Sequence, residues 1–251
     1  MDIMIAGYGF VGRAHEALLK KQHNVPIYDP NLGYGNWWKN PDGVIICVST
    51  PEADDGSCDM SNVYSIIEDV PPDVPILIKS TISLEGWRQL KFMFPNHKLA
   101  FSPEFLRAAT AIEDFLNSRL IYIGGDSVSF LHALFRVAFN DSEFTTQIGD
   151  PEGLILAKYF RNAFLATKVN YFNQIHDLCK SAGINPEEVL HVVSSDERIG
   201  HSHTHVFKER GFGGHCFPKD TLAILHTGET YGVDLTIIRE AVEYNKRVRK
   251  E

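Results

Sequence analysis

The sequence predicts an α/β fold in which an N-terminal, doubly wound parallel sheet is followed by a mostly helical domain built on one long helix. Three observations predict it. Short apolar runs rich in β-branched residues recur through the first half, separated by segments of helical length. A glycine-rich turn follows the first of these runs. The second half instead contains a long segment without helix breakers.

Six apolar runs are expected to form the strands of the sheet. Each is short and is followed by glycine, proline or small polar residues, as is typical of buried parallel strands. Because such sheets bind ligands beyond the carboxyl ends of their strands, we expect the functional residues at that edge. The runs cover residues 3–6, 25–28, 44–48, 76–78, 99–101 and 120–123.

The long helix is predicted to begin at the Asp-Pro-Glu sequence of residues 150–152, which supplies a cap, a first-turn proline and an early acid. After Gly153 no breaker occurs until Gly183. Residues 151–182 are therefore expected to form one helix of about 30 residues, which would be about 45 Å long.

The domain boundary is predicted near Gly149. Residues 1–149 are expected to form the sheet domain, and residues 150–251 the helical domain. Within the helical domain, one further helix should begin at the Asn-Pro-Glu sequence of residues 185–187. Another should begin at Asp234, which we expect to cap the last helix.

Composition and charge exclude several classes of protein. The longest apolar runs fall far short of the roughly 20 residues that span a membrane. A net charge of −8 over 251 residues disfavours nucleic acid as a partner. The four cysteines form no CxxC pair, so we expect neither a zinc site nor a disulfide framework, and a cytoplasmic location. His201, His203 and His205 alternate, but no acid or cysteine completes a familiar ligand set, and no metal is expected.

A G-x-G-x-x-G motif lies directly between the first predicted strand and a helical segment. Its glycines allow a tight turn, close approach of the backbone to a pyrophosphate, and close helix packing. Asp29 closes the second predicted strand, where an acid binds a ribose 2′-hydroxyl and disfavours a 2′-phosphate. We therefore interpret residues 1–149 as a Rossmann-like domain and expect NAD as the cofactor; an ordinary strand-to-helix turn is the alternative. The motif consists of Gly7, Tyr8, Gly9, Phe10, Val11 and Gly12.

A second glycine-rich segment, residues 211–220, surrounds a single cysteine. The glycines let the backbone pass close to a ligand and leave the sulfur of Cys216 accessible. Lys219 and the nearby His215 could favour its thiolate form. Most lone cysteines are inert core residues, but a glycine-rich loop fits that alternative poorly.

This segment, Gly-Phe-Gly-Gly-His-Cys-Phe-Pro-Lys-Asp, closely resembles the signature of the UDP-glucose/GDP-mannose dehydrogenase family. His215 stands where the family usually has serine. Other motifs of the family follow in its order and span nearly the whole chain. They are the N-terminal glycine loop, Ser80-Thr81, the Ser-Pro-Glu-Phe-Leu-Arg sequence of residues 102–107, the run from Lys158 through Asn162 to Lys168, and Arg198-Ile199-Gly200.

The resemblance implies an enzyme that uses two NAD to oxidise the C6 alcohol of a nucleotide sugar, UDP-glucose foremost, to a carboxylate. It implies that Cys216 attacks the intermediate aldehyde to give a thiohemiacetal, which is oxidised to a thioester and then hydrolysed. A thiolate suits this role because it is a better nucleophile than water and its thioester can be cleaved.

The resemblance also assigns the other catalytic residues. Lys158 and Asn162, four apart on one helix face, would stabilise negative charge on the reacting oxygen. Asp220 would position or activate a water, and Glu104 would serve thioester hydrolysis. Both acids could instead cap helices. Thr81 would lie near the nicotinamide and the catalytic water.

The remaining assignments concern cofactor, substrate and subunit contacts. The resemblance places Thr50, Thr81 and Lys219 at the cofactor. It implies that Arg198 reaches the substrate of a neighbouring subunit, and hence a homodimer formed through the long helix 151–182. The residues expected to bind the nucleotide sugar are Phe105, Leu106, Arg107, Lys158, Asn162, Arg198, Phe212 and Gly213.

Three departures from the family pattern bear on these expectations. Ala108 replaces a second glutamate that the family usually carries four residues after Glu104, and the segment 31–42 is shorter than usual. The family also continues into a further α/β nucleotide-binding domain, which this 251-residue form would lack. Two alternatives stay open: a two-electron dehydrogenase of the 3-hydroxyacid type, for which Cys216 would be dispensable, and a partner-dependent or non-catalytic nucleotide-binding subunit.

Overall fold

The computed structural model describes residues 1–53, 58–140 and 143–250. Glu251, where the second predicted domain ends, lies outside the described residues. By its internal contacts the chain divides into two compact units, the first ending at Lys158 and the second beginning at Tyr159. This division falls inside the long helix. Whether residues 1–149 form a separate domain stays a prediction.

The first unit contains a seven-stranded, mostly parallel sheet, which confirms the predicted α/β fold. The strand order is β2-β1-β3-β4-β5-β6-β7, and β1 to β5 pair with one another in parallel. The carboxyl ends of these five strands therefore share one edge. The strands are β1 (Ile3–Ala6), β2 (Ile27–Tyr28), β3 (Gly43–Ile46), β4 (Pro75–Ile78), β5 (Lys98–Phe101), β6 (Leu120–Gly125) and β7 (Thr145–Ile148).

Two features of the sheet differ from the prediction of six parallel strands. Strand β6 runs antiparallel to β5. The sequence did not predict this, because an apolar run indicates that a strand is buried but not in which direction it runs. It comes close to the neighbouring backbone through two glycines: a Cβ on Gly124 would lie 2.4 Å from the Gly149 oxygen, and one on Gly125 would lie 2.5 Å from the Leu99 oxygen. Strand β7 was not predicted, since its Thr-Thr-Gln-Ile sequence is largely exposed and carries no apolar pattern.

Helices pack against this sheet and close its main hydrophobic core. The core joins alternating side chains of β1 to residues of the helix that follows the glycine loop and of the last helix before β7. Fully buried members include Ile3, Ile5, Leu18 and Phe135. The helices are α1 (Phe10–Leu19), α2 (Ser61–Asp69), α3 (Leu84–Met93), α4 (Ala111–Leu116) and α5 (Val128–Phe139).

The predicted long helix is confirmed as α6 (Pro151–Ser181), with 31 residues. The side chain of Asp150 accepts a hydrogen bond of 2.8 Å from the Gly153 amide, as expected of an N-cap. The helix ends just before Gly183, whose φ of +71° is one that glycine adopts readily.

The second unit is helical. Besides most of α6 it contains α7 (Pro186–Ser194), α8 (Cys216–Thr230) and α9 (Thr236–Val248). Its small core includes Phe212. The predicted cap at Asp234 is wrong: the N-cap of α9 is Leu235, and the Asp234 carboxylate instead accepts a hydrogen bond of 3.0 Å from the Thr236 hydroxyl. None of the described helices combines the length and apolar character that crossing a membrane requires.

Candidate functional site

The glycine loop lies between β1 and α1 and shows a different constraint at each glycine. Gly7 has a φ of +92°, and a Cβ there would lie 2.6 Å from the Cys47 backbone. A Cβ on Gly12 would lie 2.1 Å from the Gly7 oxygen, so this glycine allows α1 to pack closely. A Cβ on Gly9 would meet no atom within 4 Å, at the N-terminal end of α1. This open space beside helix amides fits a bound pyrophosphate.

Asp29, at the end of β2, is tied to the glycine loop. One oxygen of its carboxylate accepts a hydrogen bond of 2.8 Å from the Tyr8 amide. The Tyr8 hydroxyl in turn donates to Glu16 at 2.9 Å, and its ring packs edge-on against Tyr34 at 5.3 Å. Asp29 and the glycine loop are therefore held together by this hydrogen bond, and ribose binding by Asp29 stays a prediction.

Thr50 and Thr81 meet beyond the ends of β3 and β4. The hydroxyl of Thr50 donates to the main-chain oxygen of Thr81 at 2.6 Å. The thiol of Cys58 donates to the same oxygen at 3.3 Å. Two neighbouring loops are thus fixed to each other at the edge where ligands bind in such sheets.

Glu104 lies beyond β5 in a buried cluster that the sequence analysis missed in part. The Lys79 ammonium, whose side chain is 3% exposed, lies 3.1 Å from a Glu104 carboxylate oxygen. It also donates to the Ser102 hydroxyl at 2.9 Å and to the Pro103 oxygen at 3.3 Å. The other Glu104 oxygen accepts the Phe105 amide at 2.8 Å. Glu104 therefore binds the amides of its own turn and caps no helix.

The electrostatics of this cluster favour an ionised glutamate beside a neutral histidine. Burial by itself would raise the pKa of Glu104, but the basic groups around it, chiefly Lys79, outweigh burial and hold the pKa below its ordinary value. His15 on α1 is fully buried, and burial together with the charge of Lys79 lowers its pKa to about 4. The imidazole packs on Phe115 with ring centroids 4.3 Å apart.

Lys158 is the second lysine that contacts Glu104. It lies on α6, is 7% exposed, and its ammonium donates to the Glu104 main-chain oxygen at 2.7 Å. Two residues predicted from separate motifs are therefore in contact. Lys79 was missed because a lysine directly after a strand carries no sign, in sequence alone, that its charge is buried.

The second unit brings together three other predicted residues around a buried acid. Asp220 is 1% exposed, and its carboxylate accepts the Asn162 amide at 2.6 Å and the Lys219 ammonium at 2.7 Å. Asp220 lies inside α8, so it is not a helix cap. Both carboxylate oxygens are thus bound by residues that the resemblance places in catalysis or cofactor binding.

Cys216 is the exposed first residue of α8. It precedes Asp220 by four residues on the same helix, so the thiol and the buried carboxylate lie on one helix face. The N-terminal amides of a helix favour negative charge placed beside them. Of the four cysteines, Cys58 and Cys179 are buried, and burial raises the pKa of the Cys47 thiol.

The residues expected to bind substrate differ in their surroundings. The exposed Arg107 forms a bidentate pair with Asp114, and the exposed Arg198 forms one with Asp196. Phe105 and Leu106 are half-buried and donate their amides to Glu104. Their roles at the substrate stay predictions.

The loop before Cys216 is held by α9 and the residue that follows that helix. The Phe212 ring is 4% exposed in the core of the second unit, while its amide and carbonyl are both bound by Asn245 at 2.7 and 3.0 Å. A Cβ on Gly213 would lie 2.4 Å from the Arg249 guanidinium. Phe212 is thus a core side chain, and substrate contact by Phe212 and Gly213 stays a prediction.

The three alternating histidines lie in the loop between α7 and α8 with separate neighbours. His201 bonds to Ser194 at 2.9 Å, His203 packs on Phe217, and His205 packs on Phe207. Among residues 1–53, 58–140 and 143–250, no group of three or more histidine, cysteine or acidic side chains is arranged to hold a metal ion.

The sheet, the glycine loop and the acid after β2 together define a dinucleotide-binding domain joined to a helical unit that presents a cysteine. The model of the NAD binding domain of the UDP-glucose/GDP-mannose dehydrogenase family matches residues 32–137. The model of that family's central domain matches residues 155–247. The chain belongs to this family, and NAD is the cofactor that its first domain indicates.

Similar proteins agree with this assignment. The UDP-glucose 6-dehydrogenase of Rickettsia typhi is 34% identical over 226 residues, covering 85% of this chain and 51% of the relative. That of Rickettsia bellii is 33% identical, covering 98% and 67%. A solved UDP-glucose dehydrogenase from Pyrobaculum islandicum has a TM-score of 0.84 at 27% identity, covering 98% and 68%. The chain spans about half the length of several curated relatives that it matches.

A first prediction tests the glycine cradle. Gly9→Ala should leave the urea unfolding midpoint nearly unchanged, because the new methyl group meets open space. The same group would occupy the path of the pyrophosphate, so NAD affinity measured by calorimetry should fall at least about tenfold, which is about 1.4 kcal/mol. Gly35→Ala, also into open space, is the matched control. Equal NAD affinity in the two variants would contradict this placement.

A second prediction concerns pH and His15. The unfolded state binds a proton below the ordinary histidine pKa of 6.5, whereas the native state does so only near 4. The contribution of neutral His15 to the free energy of unfolding is therefore fully present above pH 6.5. It is lost as the pH falls towards 4, which costs about 3 kcal/mol. His15→Leu should flatten that part of the pH dependence in urea unfolding. The exposed His205→Leu should not, and identical curves for His15→Leu and the unaltered chain would refute the assignment.

Proposed function

We propose that the chain carries out the NAD-dependent oxidation of a nucleotide sugar, UDP-glucose foremost, from the C6 alcohol to the carboxylate. The observation that carries the proposal is the exposed Cys216 one helical turn before the buried Asp220, which Asn162 and Lys219 hold. Membership of the family and relatives named UDP-glucose 6-dehydrogenase support it.

The first oxidation needs a base that takes the proton of the alcohol and hydrogen-bond donors that stabilise the oxygen after the proton has left. When bound, NAD would supply the hydride acceptor for each of the two oxidations. In the proposal, Lys158 and Asn162 donate hydrogen bonds to the reacting oxygen as negative charge develops there. Asp220, already an acceptor for Asn162 and Lys219, orients the water that takes the proton. Thr81 would lie near that water and the nicotinamide, as the resemblance implies.

The second oxidation passes through the cysteine. The Cys216 sulfur bonds to the aldehyde carbon. The aldehyde oxygen gains a proton, equivalent to the one that the thiol loses, and a thiohemiacetal results. Loss of hydride from that carbon and of the hydroxyl proton leaves a thioester. Water then attacks the acyl carbon, the carbon–sulfur bond breaks, and the thiolate and the carboxylate are released. Glu104 orients that water in the proposal.

The cofactor contacts in the proposal follow the geometry of the first unit. Gly7, Gly9 and Gly12 admit the pyrophosphate to the start of α1, and Asp29 binds the adenosine ribose. Thr50 lines the cofactor beside Thr81, to which it is hydrogen bonded. Lys219 lies on α8 in the second unit and is included among the cofactor contacts only because the resemblance implies it.

The first test is the number of NADH formed per UDP-glucose by the 251-residue chain, with GDP-mannose in parallel. Two NADH per sugar are expected. Cys216→Ser should stop after at most one, because the serine hydroxyl does not form the covalent intermediate at a useful rate. Cys179→Ser, at a buried position on α6, is the matched control.

Two other results would redirect the assignment. Full activity of Cys216→Ser, with one NADH per substrate, would indicate a two-electron dehydrogenase instead. Tight NAD binding without NADH formation from any nucleotide sugar would indicate a non-catalytic or partner-dependent subunit.

We also propose that the chain forms a homodimer through α6. A stripe of this helix exposes large apolar side chains at intervals of seven residues: Phe164 is 66% exposed, Tyr171 59% and Leu178 72%. A patch of this kind on one helix face favours association.

A cytoplasmic location is proposed as well, since all four cysteines, each within the described residues, are free thiols.

The dimer proposal predicts that acidic substitutions in the apolar stripe of α6 lower the molecular mass of the protein in solution. Phe164→Glu together with Tyr171→Glu should convert a dimer to a monomer by light scattering, since two buried charges would face the apolar partner surface. Phe92→Glu, at an 85% exposed position on α3, is the control. A monomeric unaltered chain, or a dimer that survives both charges, would contradict the interface.

A further inference from the structure

Lys79 is a buried charged residue that the proposed mechanism does not use. It directly follows β4, is 4% exposed, and its ammonium is bound by Ser102, Pro103 and Glu104. Removing an ammonium from water costs several kcal/mol unless an opposite charge and hydrogen bonds compensate. A lysine buried at the carboxyl edge of the sheet therefore indicates that a specific acidic side chain compensates its charge.

The charged and titratable groups that face Lys79 come from four parts of the first unit. His15 on α1 is neutral at neutral pH, since its pKa is lowered to about 4. Burial keeps the Cys47 thiol, after β3, protonated as well. Lys158 on α6 carries the same charge as Lys79. Among these described groups Glu104 alone supplies negative charge, so the ion pair of 3.1 Å is what compensates Lys79.

Glu104 is held at both its side chain and its main chain. Lys79 lies against one carboxylate oxygen, and the Phe105 and Leu106 amides, at 2.8 and 3.2 Å, donate to the other. The main-chain oxygen of Glu104 accepts Lys158 at 2.7 Å. A shift of the carboxylate would therefore also disturb the residue that orients the Lys158 ammonium.

We propose that Lys79 is a positioning residue that keeps the Glu104 carboxylate ionised and oriented for thioester hydrolysis, while leaving the Glu104 main-chain oxygen available to Lys158. This inference rests on the proposed function. Lys79 touches neither substrate nor cofactor in it, and acts through Glu104. The matched substitution is Lys79→Met, which keeps most of the side-chain volume and removes the charge.

The kinetic test follows the final step. Without Lys79, Glu104 protonates at higher pH. The acid limb of the pH profile of kcat should therefore move up by about 1–3 pH units. Below that limb hydrolysis should lag behind oxidation, and intact mass spectrometry should find Cys216 carrying the acyl sugar on most chains. Lys91→Met, which breaks the exposed pair of Lys91 with Asp126, should show neither change. Absence of either change in Lys79→Met overturns the proposal.

A second test needs no catalysis and separates this inference from the proposed function. In urea unfolding at neutral pH, Lys79→Met should lower the midpoint because it leaves a buried carboxylate without its cation. Adding Glu104→Gln should restore part of the loss, because the remaining group is neutral. Strictly additive losses overturn the ionic coupling. If the unaltered chain forms no NADH while the cycle shows coupling, the proposed function fails and the pairing of Lys79 with Glu104 stands.

Discussion

Parallel hydrogen bonding between neighbouring strands is the constraint on which the candidate site of the first unit depends. Because β1, β3, β4 and β5 run in the same direction, the loops that follow them leave one edge of the sheet. The glycine loop, Thr50, Thr81 and Glu104 come from four different loops, yet each contacts another loop at this edge. Local sequence supplies the side chains, and strand direction assembles them.

Burial determines what these side chains can do once they are assembled. An ammonium and a carboxylate that would each be costly alone become stable as the Lys79–Glu104 pair, with a hydroxyl, a carbonyl and amides completing their hydrogen bonds. The same environment keeps His15 neutral. The second unit uses a similar arrangement, in which Asn162 and Lys219 satisfy the buried Asp220. Each unit therefore fixes one buried acid through a lysine.

The sequence predicted the fold class, six of the seven strands among the described residues and the start of α6, because these depend on local pattern and capping. It did not predict β7, whose side chains are exposed and polar, or the direction of β6, which depends on pairing. Motifs located Glu104, Lys158 and Asp220, whereas Lys79 and His15 were missed. Their importance arises from burial between distant segments, and neither a lysine after a strand nor a histidine on a helix indicates that in sequence.

The substitution at Ala108 and the pair of Lys79 with Glu104 bear on the same question. Two nearby carboxylates in one site repel each other, and the protons then bind in coupled steps that belong to the pair. Ala108 is exposed and uncharged, so no second acid stands four residues after Glu104. The cation of Lys79 then serves one carboxylate alone. The pKa of Glu104 is therefore set by burial, which raises it, and by the neighbouring basic groups, chiefly Lys79, which lower it, with no contribution from a second acid at position 108.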